Sequence, residues 1–121
     1  MNIEWIDLSE EPCFITIYKT NITMNRQAKE HFDDVEFVRI GLSEDKSLVI
    51  APVSADLLPV ARLQKATLFP ISVKKSYARI SSTSLSKMIA EKLTLDLNDE
   101  PIRLSCVFKK DLGLIAEEKG V

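Results

Sequence analysis

Residues 71–118 read ISVKKSYARISSTSLSKMIAEKLTLDLNDEPIRLSCVFKKDLGLIAEE, and the order of patterns within them decides the fold. Ile71 and Val73 alternate with Ser72 and Lys74, as in a strand buried on one face. A second strand end centres on Ile80. Behind it, Ser81, Ser82 and Thr83 are short polar side chains of the kind that accept hydrogen bonds from the free N–H groups opening a helix. Leu85 and Ile89, with Met88 and Leu93, form the i, i+4 stripe of a helix buried on one side. Ile102, Leu104, Cys106 and Phe108 then return to period-two alternation, broken only by Val107. The turn K-K-D closes a hairpin whose returning strand is Leu112 to Ala116.

Residues 15–53 repeat that order in ITIYKTNITMNRQAKEHFDDVEFVRIGLSEDKSLVIAPV. Ile15 and Ile17 match Ile71 and Val73, and Ile22 matches Ile80. Thr23 and Asn25 supply the caps, and Ala28 to Phe32 the helical stripe. Val38, Ile40 and Leu42 alternate with Arg39, Gly41 and Ser43, the turn S-E-D-K-S follows, and Leu48 to Ala51 returns. The chain therefore divides into an acidic arm over 1–13, a first repeat over 14–53, a connector over 54–69 and a second repeat over 70–121, all within one compact domain. The fold expected is mostly β with short helices, two strand, helix and hairpin repeats interlaced into a small barrel. Pro52, Pro59 and Pro70 limit the connector to one short helix or strand around Val60 to Leu68, with its leucines packed on the body. Trp5 and Ile6 are expected to tether the arm, in which Glu4, Asp7, Glu10 and Glu11 stand without a basic residue.

An apolar share of 45% with 3 Gly and 5 Pro in 121 residues is that of a packed globule. Glu4 and Asp7 interrupt what a signal peptide needs as an apolar run, and no stretch approaches the ~20 apolar residues that span a bilayer. The expectation is a cytoplasmic protein without a membrane partner. Cys13 and Cys106 are far apart in sequence with no C-x-x-C spacing, so they read as two ordinary buried thiols.

Residues for catalysis are sparse. His31 is the only histidine, which excludes a two-His metal site within one chain. The carboxylate pairs Asp33-Asp34, Glu44-Asp45 and Asp99-Glu100 fall in expected turns, where acids serve as turn formers. Gly41, Gly113 and Gly120 are isolated, and none opens a helix as a phosphate-binding loop does. The chain reads as a non-enzyme with no cofactor and no metal.

The second repeat resembles the swapped-hairpin domains of the AbrB, MazE and SpoVT superfamily. Arg79-Ile80-Ser81 falls at the strand end, Ile89 to Leu93 at the helix end, Asp96 to Glu100 at the acidic turn and Ile102 to Ile115 at the hairpin. The helix-entry proline common in that superfamily is absent from both repeats. The resemblance implies that two such units interlace, within one chain or between the chains of a homodimer, because a lone unit leaves a sheet edge and an apolar face uncovered. It also implies that the first strand and helix entry face DNA. The positions carried over are Lys19 and Arg26 in the first repeat and Lys74, Lys75 and Arg79 in the second; the segments holding them are both net basic. Tyr18 and Tyr77 occupy related places. The function expected is a DNA-binding transcriptional regulator or antitoxin-type protein; the alternative is a protein-interaction module or adaptor subunit.

Overall fold

The computed structural model describes residues 1–7, 12–65, 67–98 and 100–117. Glu10, Glu11, Asp99 and Gly120, named above, lie outside them. The first repeat forms β1 (Phe14–Ile17), β2 (Asn21–Met24), α1 (Arg26–Lys29) with a 3-10 turn over Glu30–Phe32, β3 (Phe37–Leu42) and β4 (Leu48–Val53). The connector holds α2 (Leu58–Leu63). β5 (Phe69–Pro70) crosses from the connector into the second repeat, which forms β6 (Ser72–Val73), β7 (Ala78–Ser81), α3 (Thr83–Leu93), β8 (Ile102–Lys109) and β9 (Gly113–Glu117). The architecture is mostly β with short helices.

Among the described residues the strands join one nine-stranded antiparallel sheet in the order β5-β3-β4-β9-β8-β1-β2-β7-β6. Its two ends, β5 and β6, are consecutive pieces of one strand, parted only at Ile71, whose N–H donates to the Glu36 carbonyl at 3.0 Å. The sheet thus curls into a nearly closed barrel, which leaves little free strand edge for another chain.

The repeats are interlaced rather than side by side. β2 pairs with β7, β4 with β9, β1 with β8 and β3 with β5. The β1–β2 and β6–β7 turns match, Tyr18 N–H donating to Asn21 and Lys74 N–H to Tyr77, each at 2.8 Å. The β3–β4 and β8–β9 turns match as well, Lys46 N–H donating to Ser43 and Leu112 N–H to Lys109, each at 3.0 Å. On these turns, a pseudo-twofold axis passes through the pair Thr23↔Arg79 on one wall and Val49↔Ile115 on the other. Ile15 and Ile17 correspond to Ile71 and Val73, as the alternation indicates. Ile22 and Ile80 do not correspond: they are direct cross-strand partners, and Ile22 corresponds to Ala78. The symmetry fails at one seam, where Val38 faces Phe69 although its counterpart Leu104 faces Ile15.

Inward side chains from both repeats, including Ile15, Ile17, Ile22, Phe32, Ile50, Ile80, Leu104 and Leu114, fill one core. Asn25 caps α1 and ties three segments. Its Oδ1 accepts from Ala28 N–H at 3.0 Å and Phe14 N–H at 3.2 Å, and its Nδ2 donates to the Pro12 carbonyl at 2.7 Å. Asn25→Ala leaves those groups without a protein partner, and we expect a loss of about 2 kcal/mol in urea unfolding. Ser82 caps α3 more simply, its Oγ accepting from Leu85 N–H at 3.1 Å. Ser86, one turn further on, is fully buried with an Oγ that has no hydrogen-bond partner among the described residues. Ser86→Ala removes that desolvated hydroxyl and improves helix propensity, so stability should rise by about 1 kcal/mol in the same assay.

Three expectations about apolar positions are corrected. Trp5 is 79% and Ile6 88% exposed, so neither tethers the arm. The connector helix starts before Pro59, because proline is tolerated in a first turn where no N–H is required. It packs through Ala61, leaving Leu57 and Leu63 in solvent. Met88, placed on the apolar stripe of α3, is exposed at the rim of a groove formed with Ile40 and Leu42.

Candidate nucleic-acid interface

Because β2 and β7 pair across the pseudo-twofold axis, the basic strand of each repeat lies on one continuous wall, β8-β1-β2-β7. Alternation sends Ile15, Ile17, Ile22, Met24, Ala78 and Ile80 inward. The opposite faces of the same strands must therefore point outward. Registers align these outward residues into one row across the wall: Arg103 is opposite Thr16, Thr16 opposite Thr23, Thr23 opposite Arg79, and Arg79 opposite Ser72. Two guanidinium groups flank two hydroxyls. At a strand spacing of about 4.8 Å, the backbones of Arg79 and Arg103 are about 14 Å apart.

Each arginine rests on an aromatic ring. The Arg103 guanidinium lies 4.2 Å from the Phe14 centroid and that of Arg79 5.7 Å from the Tyr77 centroid. Such stacking restrains the flat fork while leaving its N–H edges free to donate. Together with Tyr18 and Asn25, these side chains line a shallow trough on the outside of the barrel.

The other expected residues take places around this row. Lys74 and Lys75 stand exposed in the β6–β7 turn at one end of the wall. Arg26, half-buried in α1 next to Asn25, lies toward that end. Lys19, in the β1–β2 turn, is at the opposite end, because β2 and β7 run antiparallel. It shares a cleft there with Thr83, Lys87 and the acids Glu91 and Asp96. Glu100 lines a neighbouring cleft with Lys19, so this end is of mixed charge. Arg79 is central, and Lys19, Arg26, Lys74 and Lys75 are peripheral. Arg103, which lies outside both basic segments, and Phe14, at the start of β1, join the site. Arg103 was readable only as an outward residue of a strand far along the chain, and no local signal placed it beside β1.

The groups weighed for catalysis remain dispersed. His31 stacks face to face on Phe108 with centroids 4.1 Å apart. Asp33 accepts from Lys29 at 2.8 Å. Asp45 accepts from the Ser43 hydroxyl, a bond that holds its carboxyl below the usual range and helps close the β3–β4 turn. Among the described residues, no three His, Cys, Asp or Glu side chains converge as a metal site, and no helix is long and apolar enough to cross a membrane. The two cysteines are a correction: they are not separate buried thiols but neighbours, with Sγ atoms 2.7 Å apart. No family model, curated protein or solved structure matches the chain.

Proposed function

We propose that the chain is a non-catalytic DNA-binding protein, a transcriptional regulator or antitoxin of AbrB-like kind, that acts in the cytoplasm by occupying an operator with the β8-β1-β2-β7 wall. The observation that carries this reading is the cross-strand row Arg103–Thr16–Thr23–Arg79, in which two ring-supported arginines flank hydroxyls on an exposed sheet face. Arginine forks suit the acceptor pairs on guanine edges and on phosphates, and threonine hydroxyls serve either. Lys19, Arg26, Lys74, Lys75 and Lys87 would neutralise backbone phosphates on either side. The interlaced repeats add indirect support to the superfamily assignment, which is part of the same proposal.

The test is a fluorescence anisotropy titration of labelled duplex DNA at two salt concentrations. If those five side chains each neutralise one phosphate, affinity should drop roughly 10²–10³-fold between about 50 and 200 mM salt. Absence of binding at the lower salt by a folded protein would overturn the proposal. One observation favours the alternative of a protein-interaction module: Met1, Ile3, Trp5 and Ile6 all project into solvent. A chain without residues 1–6 that still binds DNA but loses a protein partner would identify the arm as a separate docking element.

A further inference from the structure

Cys13 precedes β1 by one residue, and the β1–β8 register places it directly opposite Cys106. Cys106 N–H donates to the Cys13 carbonyl at 3.1 Å, so the ladder continues through this pair. Residues opposite one another in antiparallel strands have Cα atoms about 4.5–5.5 Å apart, within the span a disulfide bridges. The sulfur atoms already touch at 2.7 Å. The two thiols also differ in access: Cys13 is half-buried at the surface, whereas Cys106 is 8% exposed and belongs to the core cluster.

We infer that Cys13 and Cys106 form a reversible dithiol site that hydrogen peroxide oxidises to an intrachain disulfide, with Cys13 as the attacking sulfur and Cys106 as the resolving one. The Cys13 thiolate attacks one peroxide oxygen, the O–O bond breaks, and the departing hydroxide takes up a proton to leave as water. Cys13 is then a sulfenic acid. The Cys106 sulfur attacks the Cys13 sulfur and displaces hydroxide, which leaves as a second water with the Cys106 proton. Two thiols have lost two electrons and two protons, and one peroxide has become two waters. A thiol reverses the step by exchange. The division of roles agrees with the hydrogen bond from Cys106, which pulls the Cys13 thiol below its ordinary pKa, while that contact and burial push Cys106 up.

The bridge would join residues 93 positions apart, tying the residue just before β1 to β8 of the second repeat. It would therefore lock the interlacing of the barrel, because β8 and β9 could no longer separate from β1.

The full reduced chain treated with hydrogen peroxide tests this. Expected are loss of both titratable thiols together, a mass lower by two hydrogens, a peptide cross-link between Cys13 and Cys106 in a monomer, and a thermal midpoint higher by about 10 °C. Dithiothreitol should reverse all four. In Cys106→Ser, dimedone should trap a sulfenic acid on Cys13; in Cys13→Ser, Cys106 should react at least 10-fold more slowly. Thiols that stay titratable until the protein unfolds would overturn the inference. So would oxidation of one thiol to sulfinic acid without a bridge, or disulfide-linked dimers in place of the intrachain bond.

Discussion

Replacing Arg79 and Arg103 together with alanine should weaken duplex DNA binding on the order of 100-fold while leaving the protein folded. A guanidinium contact to a base edge contributes about 1–3 kcal/mol, and each 1.4 kcal/mol is a factor of ten in affinity. The two side chains are about 14 Å apart at the backbone and touch different rings, so their effects should add to within a few tenths of a kcal/mol. Both are exposed and outward, and each change removes one cation–π contact of about 0.5–1 kcal/mol. The thermal midpoint should therefore fall by only a few degrees.

The form of the loss separates two kinds of contact. If an arginine reads a base edge, its removal flattens preference among DNA sequences; if it meets a phosphate, affinity drops evenly and the salt slope declines by about one. Lys110→Ala, in the β8–β9 turn at the far end of β8 from Arg103, is the control and should bind as the unaltered chain does. Equal weakening by the control and the double variant would mean that the wall is not the interface.

Gly113→Ala should cost about 3 kcal/mol or more, the largest effect on folding expected from a single methyl group in this chain. Gly113 adopts φ +134°, a conformation open to glycine and strained for other residues. A Cβ there would sit 2.5 Å from the Ile50 carbonyl oxygen and 2.8 Å from the Ala51 Cα. Both obstacles are backbone atoms of β4, so no rotamer change relieves the overlap. The seam between β4 and β9 has to open, and with it one of the pairings that join the repeats. Urea unfolding should show a lower midpoint, with a thermal midpoint about 10 °C lower. Gly41→Ala is the matched comparison: nothing lies within 4 Å of its Cβ position, and no loss is expected. A Gly113→Ala protein as stable as the Gly41→Ala protein would refute the close approach.

Local chemistry made much of this fold legible. Hydroxyl and amide caps at Asn25 and Ser82, alternation along β8, and the turns after Leu42 and Lys109 all depend on residues near one another in sequence. The misreadings arise where distant parts meet. Ile22 and Ile80 look like the same residue in two copies, yet an axis that pairs β2 with β7 makes them neighbours instead. Trp5, Leu57 and Leu63 looked apolar enough to be covered, but burial depends on whether core volume remains, and the barrel is filled without them.

The site shows the same division. The basic strands and turns were visible as local charge, so Lys19, Lys74, Lys75 and Arg79 could be named from sequence. Arg103 is brought to Thr16 by pairing between β1 and β8, a register set by the whole barrel. The proximity of Cys13 to Cys106 follows from that same register, and sequence spacing could not supply it.

If the wall binds DNA as proposed, the pseudo-twofold axis also bears on the shape of its site. A symmetric dimer reads a palindrome, because each half-site meets the same side chains. Here the axis sets Thr23 against Arg79; beyond Thr23 the row continues through Thr16 to Arg103, whereas beyond Arg79 it reaches Ser72 and then the irregular seam where Phe37 pairs with Pro70. The wall therefore has a left and a right. A DNA site fitted to it would be directional, and turning the duplex end for end would present the wrong bases to the arginines. One molecule could thus distinguish upstream from downstream, a discrimination that two identical half-sites cannot provide.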